Sequence, residues 1–548
     1  MKLIRFPFYI FIVAILAFSC KNDNEEPGIE TSKSPDSEEI DDLTTAMNVE
    51  EKIEEWQNET INPDLQLNNI RLVDSFYSKR EYQPVWSNRE LREDFYRSIE
   101  NAPNHGLQEK DYHGEYLRTA LSNLASLDEY EKDLLELVLT DAFFTYARHL
   151  NSGKLNPKEL YSIWDIGNNN TDLLSVFETA ISENSISASL EELAPKHIVY
   201  KGLQKSLQDY RELMENEKDP TQVEKGESIK PGDTTPRMAM VALRLQELNF
   251  IDSIPPSSTH EYNETLQDAV KNFQKHHGIE TDAVIGPGTI SALNTTYKQR
   301  YEQILVNLER WRWYPQDLGD HYIIVNIPNY RLHLVKGKDT ISSNRVMVGT
   351  EARKTPVFSE EIEHIVYNPT WTIPPTIKKN DVIPAAKKNT SYLTNRNMSV
   401  FDRSGRKLNP SEINWNSNEV AGYTYRQDAG SANPLGKVKI IYPNKYSIYL
   451  HDTPSKKLFE KNSRAQSSGC VRVEGVLNLA EYLLNDQEKY TSEKIEEILN
   501  SGRTTTIKIT KDVKVHHFYW TAWRETDETL FAEDIYKQDN EIVELLMN

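Results

Sequence analysis

The most informative part of the sequence reads YLHDTP at residues 449–454 and RAQSSGCVRV at residues 464–473. The pattern predicts that His451 ends a strand and that Cys470 follows a Ser-Ser-Gly turn, directly before an apolar helix. A thiol near a helix N-terminus and a histidine can be held as thiolate below the pKa of about 8.5 of free cysteine. Backbone N–H groups around Gly469 are placed to bind an oxyanion. This stretch therefore predicts a cysteine nucleophile with a histidine base.

The number of cysteines in the chain also concerns the role of Cys470. The chain of 548 residues has only two cysteines, Cys20 and Cys470. If Cys20 carries lipid, an exported chain keeps one unpaired thiol. A lone cysteine is more often buried and inert, whereas a reactive one is kept for its chemistry. The count alone leaves both interpretations open.

The first residues have the composition of an export signal. Two basic residues precede an apolar run at residues 6–18, which is shorter than a membrane-spanning helix and typical of a secretory signal. The run ends in LAFSC, which is similar to a bacterial lipobox whose cysteine, here Cys20, is diacylated. Ordinary cleavage near Ser19 is the alternative. We predict a lipoprotein signal peptide at 1–20 and a disordered acidic tether at 21–45.

Hydrophobic periodicity divides the rest of the chain, which is long enough for three or more folded units. Apolar residues recur at helical spacing in the first half, whereas short runs of period two, rich in β-branched and aromatic residues, follow a helix at about 297–312. We predict a multidomain α+β protein. Its units are a helical scaffold domain at 46–215, a linker at 216–236, a small helical domain at 237–296, a mainly antiparallel β domain at 297–524 with a capping insertion at 376–432, and a C-terminal helical tail at 525–548.

Charge and histidine placement argue against two classes of ligand. The net charge of −21, without a long basic run, disfavours a nucleic-acid partner. His276-His277 and His516-His517 are adjacent pairs, and neighbours on a strand face opposite sides of the sheet. No thiol or carboxylate pattern accompanies them. We predict no metal site, no cofactor and no nucleic-acid binding.

The unit at 237–296 resembles the peptidoglycan-binding type-1 domain. The resemblance rests on AVKNFQ at 269–274, DAVIG at 282–286 and TISALN at 289–294. Ala283 stands where this family usually has glycine. The resemblance implies binding to peptidoglycan glycan, and a helical spacer that binds no glycan is the alternative.

The cysteine cluster resembles the L,D-transpeptidase (YkuD) signature, on His451 and SGCVR at 468–472. Longer phrases are similar to its YcbB-like subgroup. These phrases are NLERWRW at 307–313, NPTWTIP at 368–374, NPLGKVK at 433–439, HDTP at 451–454 and TAW at 521–523. Many family members have histidine where Ser468 stands, whereas the YcbB-like subgroup reads SSGC. The cluster therefore contains one histidine.

The resemblance implies a reaction. Cys470 attacks the carbonyl that joins the L-centre residue of a tetrapeptide stem to D-Ala, D-Ala leaves, and an amine of a second stem accepts the acyl group in a 3→3 cross-link. His451 serves as general acid and base, and the Gly469 N–H belongs to the oxyanion hole. Asp452 should point to the other face, so we expect a backbone carbonyl to orient the imidazole.

The resemblance also implies how the substrate binds. Tyr449, Ser468, Arg472 and Trp371 are the predicted substrate-binding residues; Arg472 either anchors stem carboxylates or forms a structural ion pair. Two alternatives stay open: an L,D-carboxypeptidase with the same residues, and a catalytically silent peptidoglycan-binding lipoprotein. The expected setting is the periplasm of a Gram-negative bacterium, with a lipid anchor in the cell membrane or outer membrane, and carbapenems are the expected inhibitors.

Overall fold

A computed structural model describes the protein at residues 48–58, 65, 67–167, 169–254, 260–484 and 489–547. The predicted signal peptide, the predicted tether and Cys20 lie outside these residues. In the described ranges, no helix combines the length and the apolar character needed to cross a bilayer. A helical N-terminal region, a small helical unit and a mainly sheet unit follow one another, which confirms the predicted multidomain α+β class.

The N-terminal region packs its helices around a long central one. Its elements are α1 (Val49–Gln57), α2 (Ile70–Ser78), α3 (Arg89–Glu100), α4 (Gly114–Ser122), α5 (Glu129–Ser152), α6 (Pro157–Leu160), strand β1 (Trp164–Asp165), α7 (Leu173–Ser182), α8 (Ile186–Leu193) and α9 (Ile198–Asn216). The central helix α5 begins at a capping box formed by Asp128 and Glu131. Its buried Asp141 accepts a hydrogen bond from the Asn69 N–H at the start of α2 (2.7 Å). Residues 134–146, part of the region whose apolar residues recur at helical spacing, are buried in this helix.

The small helical unit has a hydrophobic core of its own. It contains α10 (Arg237–Glu247), α11 (Glu264–His276) and α12 (Pro287–Leu293). Val223 and Ile229 of the predicted linker are buried in this core, and Ile229 forms an antiparallel bridge with Ile285. The segment from Val223 onward is therefore part of the unit, because its apolar side chains pack into the core of the unit. Ala283 has φ of 61°, a conformation that glycine adopts more easily.

The sheet unit begins with a buried helix and a run of antiparallel strands. These are α13 (Tyr297–Trp313), β2 (His321–Asn326), β3 (Arg331–Lys336), β4 (Asp339–Gly349), β5 (Val357–Glu361) and β6 (His364–Tyr367). The guanidinium of Arg312 in α13 is fully buried and pairs with Glu309 one turn earlier (2.5 Å). A buried ion pair with this geometry satisfies both charges inside the protein.

The predicted capping insertion is a folded subdomain. It contains β7 (Trp371–Thr372), α14 (Pro375–Ile377), α15 (Ile383–Lys388), α16 (Ser391–Thr394), β8 (Met398–Phe401), β9 (Lys407–Leu408) and β10 (Thr424–Gln427). The strands pair in the order β7-β10-β8-β9. Val382, Leu393, Val400 and Tyr425 belong to its separate core. The insertion thus starts with β7, before the predicted residue 376, because β7 pairs with β10.

The chain then returns to the main sheet. The remaining elements are β11 (Val438–Ile441), β12 (Leu450–His451), β13 (Ala465–Ser467), β14 (Val471–Val473), α17 (Val476–Leu484), α18 (Ser492–Asn500), β15 (Thr505–Lys508) and β16 (Lys514–Phe518). The sheet order is β1-β5-β16-β2-β3-β4-β14-β12-β11-β6-β15, and β13 pairs with β4. Parallel pairs occur at β1–β5, β2–β16, β12–β14 and β4–β13, whereas the other described pairs of this sheet are antiparallel.

The C-terminal segment differs from the predicted helical tail. A hairpin of β17 (Ala522–Glu525) and β18 (Glu528–Phe531) precedes the final helix α19 (Asp539–Met547). The hairpin crosses the predicted boundary at residue 524. It contacts the small helical unit, where His276 pairs with Glu528 (3.0 Å), and the N-terminal region, where Arg524 pairs with Asp209 (2.7 Å). These tertiary contacts stabilise a hairpin in a segment that the sequence pattern assigns to a helix.

Candidate active site

Three adjacent strands carry the predicted catalytic residues. In the register of β11, β12 and β14, Lys439 lies opposite His451, and His451 lies opposite Arg472. Next to these pairs, the backbone N–H of Val471, the residue after Cys470, donates to the Tyr449 carbonyl (3.2 Å). Because paired residues share a face of the sheet, as do residues two apart on one strand, all five side chains belong to one face. The fold therefore brings the predicted nucleophile, base and two of the predicted substrate-binding residues together.

The turn that presents Cys470 is held by hydrogen bonds. Gly469 has φ of 116°, which favours glycine. Its N–H donates to Ser467 Oγ (3.0 Å), Ser467 Oγ donates to the Cys470 carbonyl (2.6 Å), and the Gly469 carbonyl accepts from Thr355 Oγ1 (2.7 Å). The Gly469 N–H, predicted as the oxyanion donor, is thus already bonded. Among the described residues, the Cys470 N–H has no hydrogen-bond acceptor and is available as a donor.

The environment of the thiol differs from the prediction. The turn leads into strand β14, and the apolar helix α17 begins only at Val476, so Cys470 does not lie at a helix N-terminus. The strand forms because β4 and β12 flank it on both sides. Burial raises the pKa of Cys470 to about 11, against smaller opposing effects of Tyr449 and Arg472. The expectation of a stable thiolate is therefore wrong, and the thiol is protonated at neutral pH.

His451 is buried and neutral. Its Nδ1 donates to the backbone carbonyl of Asp452 (2.5 Å), which leaves Nε2 as the acceptor. Burial, and then the nearby Arg472, lower the pKa of His451 to about 3. The Asp452 carboxylate accepts from the Lys437 N–H (2.9 Å) and pairs with Lys456, away from the imidazole. A backbone carbonyl orients the ring, as expected, and the neutral imidazole lies on the same sheet face as the thiol, which donates to the Ser447 carbonyl (3.7 Å).

The raised pKa of Cys470 predicts an unusual pH profile for alkylation. Iodoacetamide reacts with thiolates, so its rate with Cys470 should still rise about tenfold per pH unit between pH 9 and 10. The alkylation rate of an ordinary thiol, with a pKa of about 8.5, levels off in that pH range. The measurement is the second-order rate constant from pH 7 to 10.5, followed by intact mass, with glutathione as the reference. A plateau at or below pH 9 would contradict the raised pKa.

The predicted substrate-binding residues occupy two places. The Tyr449 hydroxyl interacts with the Cys470 thiol and with the Trp371 indole, and burial raises the pKa of Tyr449. Arg472 lies on the same face, and its buried Nε has no hydrogen-bond partner among the described residues. Ser468 is exposed on the outer side of the turn, where its Oγ accepts from Arg353 (2.9 Å). Tyr449 thus contacts the thiol, Trp371 contacts Tyr449, Arg472 lies on the same sheet face, and Ser468 lies on the exposed side of the turn.

Arg353 was not predicted from the sequence. Besides Ser468, it pairs with Asp381 of the insertion (3.0 Å). The nucleophile turn is therefore connected directly to the capping subdomain. A surface arginine inside EARK at residues 351–354 carries no local pattern that indicates such a contact.

Tyr536 is a second residue that stabilises the turn before Cys470 and that the sequence did not predict. The Tyr536 hydroxyl donates to the Gly349 carbonyl (2.8 Å) and accepts from the Thr355 N–H (3.0 Å). Thr355 in turn donates to the Gly469 carbonyl beside the nucleophile. The two residues of each of these three hydrogen bonds are more than a hundred positions apart in sequence, so only the tertiary structure reveals the connection.

Replacing Tyr536 with phenylalanine is expected to loosen the nucleophile turn. The change leaves the buried Thr355 N–H and Gly349 carbonyl without that partner, which costs about 1–3 kcal/mol of unfolding free energy. Iodoacetamide should then reach Cys470 faster at a fixed pH. Thermal unfolding and alkylation rates measure the two effects, and Tyr130→Phe, at an exposed tyrosine in α5, is the matched control. Wild-type values for both quantities would refute this role of Tyr536.

Comparison with known families assigns three parts of the chain. Residues 320–508 match the family model described as the L,D-transpeptidase catalytic domain (YkuD), and residues 235–293 match a "Putative peptidoglycan binding domain". Residues 71–207 match a scaffold domain. The last match lies within the predicted helical scaffold. The narrower resemblance to the YcbB-like subgroup stays a prediction.

Individual proteins were also found to be similar. A "Putative L,D-transpeptidase" of Haemophilus influenzae is 37% identical over 298 residues, which cover 54% of this chain and 56% of the relative. The chain thus spans about half the length of that relative. Two crystal structures of L,D-transpeptidases cover 54% of this chain, from Xylanimonas cellulosilytica (15% identity, 99% of that chain, TM-score 0.16) and Stackebrandtia nassauensis (10%, 96%, 0.21). On the family matches, the chain contains an L,D-transpeptidase catalytic domain of the YkuD family together with a peptidoglycan-binding domain.

Proposed function

We propose that the protein forms 3→3 cross-links between peptidoglycan stems through a thioester on Cys470. The observation that carries the proposal is the strand register that places Cys470, His451 and Arg472 on one sheet face inside an L,D-transpeptidase catalytic domain. The thiol has a neutral imidazole as its base, and a free N–H at Cys470 is available for an oxyanion. These are the groups that acyl transfer to a thiol needs.

In the first half-reaction, the Cys470 sulfur attacks the carbonyl that joins the L-centre residue of a tetrapeptide stem to D-Ala. The thiol proton passes to His451 Nε2 as the C–S bond forms. The Cys470 N–H donates to the oxyanion, in place of the bonded Gly469 N–H. When the C–N bond breaks, His451 returns the proton to the leaving amine. The products are a thioester and free D-Ala. Because the Cys470 thiol and the His451 imidazole both start uncharged, the proton must move from sulfur to nitrogen while the sulfur attacks.

In the second half-reaction, an amine of a neighbouring stem attacks the thioester. His451 takes a proton from this amine, the C–S bond breaks, and the proton returns to the sulfur. Tyr449 and Trp371 form the apolar wall beside the thiol, Arg472 binds an anionic group of the donor, and Ser468 contacts the stem at the entrance. Their mutual contacts around Cys470 support these roles.

Two functions other than transpeptidation are compatible with this chain. Attack of water on the thioester gives an L,D-carboxypeptidase with identical residues up to that step. A catalytically silent peptidoglycan-binding lipoprotein is disfavoured because the chain has both a thiol and an oriented, neutral imidazole on one sheet face. We therefore prefer the transpeptidase, with the carboxypeptidase as the second candidate.

The test uses purified protein and a disaccharide-tetrapeptide, with products analysed by mass spectrometry. Dimers that have lost one D-Ala support transfer. Disaccharide-tripeptide without dimers refutes transfer in favour of hydrolysis, and unchanged substrate refutes both. Pull-down with insoluble peptidoglycan separates binding from catalysis.

We also propose that the protein acts on peptidoglycan outside the cytoplasm, anchored by a lipid on Cys20 in a Gram-negative cell. The peptidoglycan-acting domains support the extracytoplasmic location, and the predicted lipobox supports the anchor. A fatty-acid analogue should label the wild-type protein, whereas Cys20→Ala should lose more than about nine-tenths of the label, because diacylation needs that thiol. Equal labelling of the two proteins would refute the anchor.

A further inference from the structure

A cleft of about 620 Å³ lies between the small helical unit and the sheet unit. Three separate parts of the chain line it. Ser291 of α12 belongs to the small unit, Tyr330 and Asn462 belong to the sheet unit, and Asn540 of α19 belongs to the C-terminal segment. Clefts of about 300–1,000 Å³ between folded units commonly bind ligands. The reaction proposed for Cys470 does not use this cleft.

Contacts at the cleft join the small unit and α13 to the C-terminal hairpin. Gln303 Nε2 of α13 donates to the Ala532 carbonyl (3.0 Å). The backbone of Gly278, with φ of 62°, approaches the Phe531 carbonyl so closely that an added Cβ would lie 2.9 Å from the oxygen. The Arg300 guanidinium lies 4.5 Å from the centre of the Phe531 ring. These contacts hold the walls in place, so the cleft is formed before any ligand binds.

Uncharged hydrogen-bonding groups line the cleft on each of its walls. The side chains of Ser291, Asn462 and Asn540 are exposed, and none of them forms a hydrogen bond within 3.5 Å to another described residue. One hydroxyl and two amides together supply both donors and acceptors. A ligand that is itself rich in hydroxyl and amide groups complements such a lining.

The charge of the lining disfavours an anionic ligand. Glu533 and Asp534 line the cleft, and neither has a cationic nitrogen within 4.0 Å in the described part of the chain. Lys537 pairs with Glu351 (3.0 Å). Arg300 also lines the cleft, but its guanidinium packs against an aromatic ring. Free carboxylates repel phosphates and other carboxylates, whereas they accept hydrogen bonds from hydroxyl groups.

We propose that this cleft binds the uncharged glycan of peptidoglycan and that the small unit supplies only one of its walls. Sugar hydroxyl and N-acetyl groups match the neutral lining, whereas the acidic stem peptides do not. The peptidoglycan-binding match ends at residue 293, so Asn462 and Asn540 lie outside it. The site is therefore composite, and the sheet unit and the C-terminal segment complete it.

The position of the cleft also relates it to the thiol, and this step rests on the proposed function. Ser463 lines the cleft, and the chain reaches Ser468 of the nucleophile turn five residues later, through β13. Five residues span at most about 18 Å, and an extended stem of four residues spans about 14 Å. A glycan in the cleft thus keeps its own stem near Cys470. We expect a donor that carries its glycan to acylate Cys470 faster than the free peptide does.

The binding experiment uses the full chain and a tetramer of N-acetylglucosamine, which has uncharged sugars and no peptide. Ser291→Trp and Asn462→Trp each place a bulky ring in the cleft, from different walls. The control is Ser253→Trp, at an exposed residue of the small unit that does not line the cleft. Calorimetric titration gives the affinity, and the unfolding temperature verifies each variant. Asn540→Trp, from the third wall, replaces a variant that does not fold.

Wild type and Ser253→Trp should bind the tetramer equally, and both cleft variants should bind it about tenfold or more weakly. No binding by wild type would overturn the proposal. Loss of binding in Ser291→Trp with wild-type affinity in Asn462→Trp would place the site on the small unit alone, which also overturns it. Tighter binding of a free tetrapeptide than of the tetramer would make the ligand an anionic peptide.

The kinetic experiment compares disaccharide-tetrapeptide with free tetrapeptide as donors, and intact mass follows acylation of Cys470. Wild type should prefer the glycan-bearing donor by about tenfold, and Asn462→Trp should lose this preference by slowing that donor alone. Equal rates with the two donors in wild type would refute the relation between the cleft and the thiol. If neither donor acylates wild type, the proposed function fails, whereas the tetramer titration still decides whether the cleft binds glycan.

Discussion

Replacing Cys470 with alanine is expected to lower acyl-enzyme formation by at least about a thousandfold, because removal of a nucleophile leaves only binding and oxyanion stabilisation. Neither a tetrapeptide donor nor a carbapenem should add mass to the variant. The side chain is half-buried on the sheet face, and the turn is held by Ser467, Gly469 and Thr355 backbone and hydroxyl groups that the change leaves intact. The loss should therefore occur without a large change in unfolding temperature.

Two variants serve as controls for this result. Cys470→Ser keeps the shape of the side chain but replaces the thiol with a far weaker nucleophile, so it should also be inactive. Cys20→Ala removes the other cysteine of the chain and should form the acyl-enzyme at the wild-type rate. Turnover by Cys470→Ala, or mass addition at a different residue, would exclude Cys470 as the nucleophile.

Much of the fold can be predicted from the local hydrophobic periodicity of the sequence. The central helix of the N-terminal region and the strands that line the main sheet have strong periodicity, and they form where it predicts them. In the apolar run at 446–450, only the last residue enters a strand, β12 (Leu450–His451), because Asn444 accepts hydrogen bonds from the Tyr446 and Ile448 N–H groups in a turn and Ser447 has φ of 57°. Asparagine is a recognised turn former, so the sequence contained this signal.

Other differences depend on distant contacts. The residues after Cys470 form β14 because β4 and β12 supply partners on both sides, which the local sequence does not reveal. The same holds for the hairpin β17–β18, which packs between two other units. Strand pairing outweighs local propensity in such segments. The thiolate expectation depended partly on a helix at that position, and burial of the thiol, which the local sequence does not reveal, also raises the pKa of Cys470.

The candidate site was predictable where the chemistry lies in a short motif. Cys470, His451, Tyr449 and Arg472 come together because two short strands are parallel and in register. Lys439 has the same relation to His451, but it lies on a third strand, at the end of the phrase NPLGKVK, and the sequence indicated no role for its side chain.

Replacing His451 with glutamine is expected to slow acylation by about 10²–10⁴-fold, the usual contribution of a general base. Glutamine retains a polar group of similar size but cannot take the thiol proton. Burial and Arg472 hold the pKa of His451 at about 3, so the wild-type imidazole is neutral above that pH. The wild-type acylation rate should therefore stay level from pH 7 down to pH 5, where a histidine with an unshifted pKa of about 6.5 would be mostly protonated.

The measurement is single-turnover acylation between pH 5 and 8 for wild type, His451→Gln and the control His364→Gln, which changes a partly exposed histidine at the start of β6. The control should match wild type throughout. His451→Gln should be slow at neutral pH and gain rate as pH rises, because hydroxide must then generate the thiolate. A wild-type rate that halves near pH 6.5 would show that His451 titrates normally, and wild-type activity in His451→Gln would exclude it as the base. Only the second outcome would require proton transfer by another group on the same sheet face, of which Tyr449 is in contact with the thiol.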